Sequence, residues 1–298
     1  MKRKFWIYLV LMLTCGCPVI TAQTDAAPAT LFQYPQLPDS LTDINARYNY
    51  YISHFWDRAP MKSVFSSKPK LAQAFYDFVT PMRFASADTV RSAISRLMNA
   101  VADKADHQLY LAQLAEDNLY GDSAEVWIDD YYLAFIRPVI SNKRVDKALK
   151  ARYKVQYDQL RNSRVGRPMA PFAFTDRNGE KQTYFSQPDI ATIVFFNDPD
   201  CSDCAMARVR LQADVKAAQL LEQGKLKILA LSPVDADETW RDSVKDYPES
   251  WIVGANPDLD LCVDLRKGTP AFYVLDEQGL LAAKNIDINS ILLLLSKI

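Results

Sequence analysis

Apolar and polar positions keep one rhythm through the first half of the chain and a different one in the second half. Up to about residue 163, apolar residues recur at helical spacing among charged ones, the signature of amphipathic helices. After a stretch spaced by Pro28, Pro35 and Pro38, the pattern predicts six helices: Ser40 (as cap) to Trp56, Lys70 to Val79, Ser86 to Ala102, Asp106 to Tyr120, Ala124 to Ile140 interrupted at Pro138, and Asp146 to Asn162. The third is the clearest, with Val90, Ile94, Leu97, Met98 and Val101 on one face. No repeat of fixed period is present. Beyond residue 164 short apolar runs alternate with helical stretches. Ala191 to Phe196 is β-branched and aromatic, ends at Asn197-Asp198-Pro199-Asp200, and predicts a buried strand. A helical pattern runs from Ser202 to Gly224. Ala271 to Leu275 predicts a strand, Glu277-Gln278-Gly279 a hairpin turn, Leu280 to Asn285 a further strand, and Asn289 to Lys297 a closing helix.

Length and composition allow two domains. The chain has 298 residues, of which 49% are hydrophobic, enough for two cores. Net charge is −1, so nothing in the charge points to nucleic acid or to an anionic membrane. At the N-terminus, Lys2-Arg3-Lys4 precedes an apolar stretch from Phe5 to Leu13, then small or polar residues up to Ala22-Gln23. This predicts a signal peptide over residues 1–22, cleaved after Ala22, with an apolar core too short to span a bilayer. Cys17 is an alternative lipid-attachment site, and membrane contact is expected only if it is lipidated. The expected organisation is therefore signal peptide 1–22, linker 23–39, helical domain 40–163 and a second domain 164–298, in an exported protein of the periplasm or cell envelope.

The chemistry sits at Cys201-Ser202-Asp203-Cys204. The first cysteine falls at a strand-to-helix turn and the second about one turn into the helix. The outer thiol meets solvent and the positive end of the helix dipole, which favours thiolate, and the inner thiol is close enough to form a disulfide with it. The same spacing also suits a structural disulfide or half of a zinc site. No second Cys-x-x-Cys is present, and the histidines are His54 and His107. As a dithiol, Cys201 is the attacking thiolate and Cys204 resolves the mixed disulfide, with no metal and no cofactor beyond the pair itself. Ser202 and Asp203 are candidate tuning residues. Asp198, Asp200 and Asp203 make the surroundings acidic, which disfavours the thiolate and tilts the pair toward reductant; alternatively they are solvated turn formers. Cys262 lies among Leu259, Leu261, Val263 and Leu265 and is either a buried small apolar residue or a third redox thiol. The aromatics around Trp56 are either core or a peptide groove, and His54 a hydrogen-bonded structural residue.

The order of strand, Cys-x-x-Cys helix, strand, helix, Thr-Pro, hairpin and helix resembles the thioredoxin fold. Gly166-Arg167-Pro168-Met169-Ala170-Pro171-Phe172 and Asp176-Arg177-Asn178-Gly179-Glu180 look like the approach to the redox strand in TlpA/ResA-type thioredoxin-like proteins. The resemblance covers roughly residues 165–298. It implies a thioredoxin-like domain, with a mixed central sheet flanked by helices, following the all-helical domain that the spacing of the first half predicts. It also implies that Thr269-Pro270 carries a cis peptide bond beside the dithiol, with the backbone of Thr269 offered to the substrate. The expected partners are a disulfide-containing protein substrate and an electron donor of unknown identity. In the first half, Tyr50 to Asp57 and Leu119 to Ser123 resemble an uncharacterised helical domain that precedes thioredoxin-like domains in exported Gram-negative proteins. Two other classes stand beside the oxidoreductase: a redox-inactive binding or adaptor module whose helical domain captures a partner, and a peroxiredoxin-type peroxidase. The latter requires a threonine three residues before the reactive cysteine, where this chain has Asp198.

Overall fold

The computed structural model describes residues 30–297. The expected signal peptide, its cleavage at Ala22, the alternative lipid site at Cys17 and the first part of the linker lie outside the described residues.

The amphipathic stripes of the first half pack as six helices: α1 (Ile44–His54), α2 (Lys68–Val79), α3 (Ala87–Ala100), α4 (Ala105–Leu119), α5 (Asp129–Ser141) and α6 (Lys147–Asn162). Their apolar faces meet in one core. Phe55, Phe75, Phe78, Ile94, Leu111, Tyr132 and Phe135 are closed off from solvent there. Several boundaries differ from the sequence expectation. α1 starts at Ile44 because Asp43, not Ser40, caps it, accepting from the Ala46 amide at 2.7 Å. α5 starts at Asp129, after a loop pinned by Trp127 Nε1 donating to the Gly121 carbonyl at 3.1 Å. Pro138 does not interrupt α5: it lies in the last turns, and the helix runs on to Ser141.

The second half builds one mixed sheet with the strand order β2-β1-β5-β4-β3-β6-β7. Its strands are β1 (Phe172–Asp176), β2 (Lys181–Tyr184), β3 (Ala191–Phe196), β4 (Leu226–Ser232), β5 (Ile252–Ala255), β6 (Ala271–Leu275) and β7 (Leu281–Ile286). β3, an interior strand, runs parallel to the central β4 and antiparallel to β6. Strand alternation sends Ile193 and Phe195 to one face and Val194 and Phe196 to the other. The first face is covered by α7 (Ser202–Gln212), α8 (Val215–Glu222), α9 (Glu238–Ser243) and α11 (Ile288–Leu295), through Leu211, Leu220, Trp240 and Ile291. The second face holds Met169 and Leu259, the latter from the short α10 (Leu259–Cys262). The helix expected from Ser202 to Gly224 is two helices. Asp214 ends α7 and caps α8, accepting from the Ala217 amide at 2.8 Å. Among the described residues no helix is long and apolar enough to cross a membrane.

Candidate redox site

β3 delivers the chain to the site, and a buried side chain ends it. Asn197 donates to the carbonyls of Phe195 (3.3 Å) and Leu231 (3.2 Å) and accepts from Ser232 Oγ (3.1 Å) and Tyr247 OH (3.0 Å). It thus joins the ends of β3 and β4 beneath the turn that follows. The sequence marks Asn197 as a turn former; nothing in its spacing announces a buried junction, because its partners come from residues 35 and 50 positions away. Asp198 then folds the turn, its carboxylate accepting from the Asp200 amide at 2.9 Å and its carbonyl from the Cys201 amide at 3.2 Å.

Cys201 is the N-cap of α7, with φ −93° and ψ 112°. Its sulfur accepts a hydrogen bond from the Cys204 amide at 3.0 Å, so an orphan donor of the first helical turn points at Sγ. Cys201 and Cys204 are joined by a disulfide with Cα atoms 5.2 Å apart. Their surroundings differ: Cys201 is half-buried, whereas Cys204 faces the core and is 1% exposed. Ser202 and Asp203, between them, are exposed, as is Asp200.

The opposite wall comes from β6. Its pairing with β3 sets Ala271 against Phe196 and so carries the two preceding residues to the mouth of the redox turn. The Thr269–Pro270 peptide bond is cis, and the Thr269 carbonyl lies 3.9 Å from Cys201 Sγ. The structure therefore brings Cys201, Cys204, Ser202, Asp203, Thr269 and Pro270 together.

The other candidates lie elsewhere. Cys262 ends α10 as a free, half-buried thiol, so it is neither wholly core nor paired. Burial first, then Asp258 and Asp260, push that thiol up and away from thiolate. Its carbonyl accepts from Asn162 Nδ2 at 3.2 Å. His54 is on α1, where its Nδ1 meets Asp57 Oδ2 at 2.7 Å on the surface. Near Trp56 the chain builds an aromatic cluster with Phe32, Phe55 and Phe78, in which Phe55 is fully buried.

The fold is that of a thioredoxin-like domain preceded by a helical domain. A crystal structure of a thioredoxin-like protein from Bacteroides caccae superposes with a TM-score of 0.71 at 19% identity, over 91% of this chain and 99% of that one. Residues 19–163 match the model of a family described as Domain of unknown function (DUF5106). Two further solved structures align over 45% of this chain. The C-terminal domain of an uncharacterized protein from Bacteroides fragilis does so with 26% identity, a TM-score of 0.41 and 99% of its own length. The thioredoxin domain of a thiol-disulfide oxidoreductase from Bacteroides vulgatus does so with 18% identity, a TM-score of 0.37 and 96% of its length. No curated protein matches the chain.

Proposed function

We propose that the chain is an exported thiol-disulfide oxidoreductase that works as a reductant of protein disulfides through Cys201 and Cys204. The observation that carries this reading is the asymmetry of the pair. Cys201 reaches solvent at the N-terminus of α7 with an amide aimed at its sulfur, and Cys204 is shut in the core one turn later. A helix N-terminus and a donated hydrogen bond both favour the charged form of a thiol.

In the reduced protein the Cys201 thiolate attacks one sulfur of a substrate disulfide. A Cys201–substrate disulfide forms, and the other substrate sulfur leaves as a thiolate and takes up a proton. Cys204 loses its proton, attacks Cys201 Sγ, and releases the second substrate sulfur, which is protonated in turn. The substrate gains the two electrons that the pair loses, and the pair is left as the Cys201–Cys204 disulfide. A dithiol electron donor must then reduce it by the same steps in reverse. The Thr269 backbone, beside Cys201 Sγ, is the part of the wall that an extended substrate segment would meet.

Direction rests on Asp203 and its neighbours. Negative charge near Cys201 works against its thiolate, which leaves the reduced form less stabilised and the pair more reducing. Export rests on the basic start and short apolar stretch of residues 1–22, read as a signal peptide. An exported compartment is also one in which a disulfide can persist.

The test is capture of the intermediate. Reduced Cys204→Ser protein is mixed with a short disulfide-bonded peptide and its mass is measured. The expected result is an adduct of one peptide half at Cys201 that dithiothreitol removes. Absence of the adduct, or an adduct at Cys262, contradicts the proposal.

A further inference from the structure

Four charged side chains meet between the helical domain and the thioredoxin-like domain, close behind the Thr269 loop. Asp129 opens α5, Asp264 and Arg266 follow α10, and Lys284 is on β7. Arg266 donates to both Asp129 and Asp264, the latter at 3.0 Å, and Lys284 Nζ lies 2.7 Å from each of the same two carboxylates. Arg266 and Lys284 are each 9% exposed, Asp264 1% and Asp129 22%, so most of the group is shut off from water and Asp129 is its most open member. The Arg266 guanidinium is also held between the Tyr120 and Trp127 rings, 4.4 and 4.3 Å from their centroids, and donates to the Tyr120 carbonyl at 3.3 Å.

The segment that carries Arg266 leads straight into the redox site and is fastened repeatedly along its length. The Asp264 amide donates to Ser163 Oγ, just past α6, at 3.3 Å. Tyr273 OH donates to the Asp264 carbonyl. Lys267 Nζ reaches the Asn285 carbonyl at 2.6 Å, and the Gly268 amide the Leu265 carbonyl at 2.8 Å. The Thr269 carbonyl then stands over Cys201 Sγ. Two acids and two bases cancel in charge, and taking them out of water is costly, so apolar side chains of similar size could glue the same interface as well or better. What apolar side chains lack is directional bonding, which fixes a backbone in one place.

We propose that Asp129 is a positioning residue of the redox site: through Arg266 and Lys284 it holds the Asp264–Thr269 segment of the other domain, and with it the backbone that a protein substrate meets beside Cys201. The helical domain is then a working part of the site rather than a separate module. This inference rests on the dithiol-exchange reading above.

The experiment separates substrates that need the Thr269 wall from those that need only the sulfur. Steady-state reduction of insulin is compared with reduction of 5,5′-dithiobis(2-nitrobenzoate), a small disulfide that requires access to Cys201 alone. Asp129→Asn should raise KM for insulin about tenfold, since small misplacements of a binding wall cost that much or more. Its rate with the small disulfide should stay within about twofold of wild type, because the dithiol itself is untouched. The double variant Asp129→Asn with Lys284→Gln keeps the cluster neutral, avoids an unpaired buried charge, and should show the same split if the single variant fails to fold. Asn162→Ala is the interface control. It removes the bond from the end of α6 to the Cys262 carbonyl, which involves no residue of the cluster or of its aromatic clamp, and should leave both reactions unchanged. Wild-type KM for insulin in the Asp129 variants overturns the inference. So does equal loss with both disulfides, or an equal insulin defect in Asn162→Ala. If the wild-type protein reduces neither disulfide, the dithiol reading itself fails and takes the inference with it.

Discussion

Cys201 and Cys204 share a bond and little else: one sulfur meets water and a helix amide, the other meets the side chains of the core. Brief alkylation of the reduced protein should therefore label Cys201 well before Cys204, as mass mapping would show; faster labelling of Cys204 would reverse their roles. The acidic neighbours give a smaller effect. Asp203 and Asp200 are exposed, and Asp198 spends its carboxylate on the Asp200 amide, so their field at Cys201 is screened by water. Asp203→Asn should make the pair more oxidising, by less than about 30 mV, a shift that corresponds to about tenfold in the equilibrium constant of this two-electron couple. A glutathione titration with no shift, or a shift to lower potential, would remove the charge argument for a reductant. At this scale the motif was legible because both sulfurs are local to one turn. Asn197 was not, since it works through Ser232 and Tyr247.

The elements followed the sequence where periodicity was strong, as in α3 and β3, and departed from it where a single polar side chain decided a boundary. Asp43 and Asp214 each divert backbone amides into a cap, and neither interrupts the apolar spacing on which a helix is read. β4, between β3 and β5, and β5, between β4 and β1, lie inside the sheet and are mostly buried, so neither shows a clean alternation, and they are recognisable as strands only once their partners are known. Gly254 shows why pairing matters. It faces Asp176 across β5 and β1, and a Cβ there would overlap the ring of Phe174. Gly254→Ala should destabilise the thioredoxin-like half by about 1–3 kcal/mol, as overpacking does. Urea unfolding would detect this as a lower midpoint at unchanged slope. An unchanged midpoint would mean that Phe174 has room to turn aside.

Across the whole molecule, the two halves are joined by charge as well as by the contact of α6 with α10. Burial alone would raise the Asp129 carboxyl, but the Lys284 ammonium and the Arg266 guanidinium more than offset this and hold it below the usual carboxylate range. A carboxyl with a lowered folded value stabilises the folded protein above its unfolded value, about pH 4, and that contribution is lost as pH falls further through the folded value. Urea midpoints should accordingly drop below about pH 4, and Asp129→Asn should flatten part of that drop; an identical acid profile in the variant would show that the ion cluster adds no pH-dependent stability. None of this was legible in the sequence. No motif or spacing singles out Asp129, Asp264, Arg266 and Lys284; the fold brings them together across more than a hundred residues. The central claim is that Cys201 and Cys204 form a working redox pair, and turnover tests it most directly. With dithiothreitol as electron donor, the wild-type protein should accelerate reduction of insulin well above the uncatalysed rate, and Cys201→Ser should return it to that rate. Wild-type protein no faster than dithiothreitol alone, or a Cys201→Ser variant as active as wild type, would contradict the account.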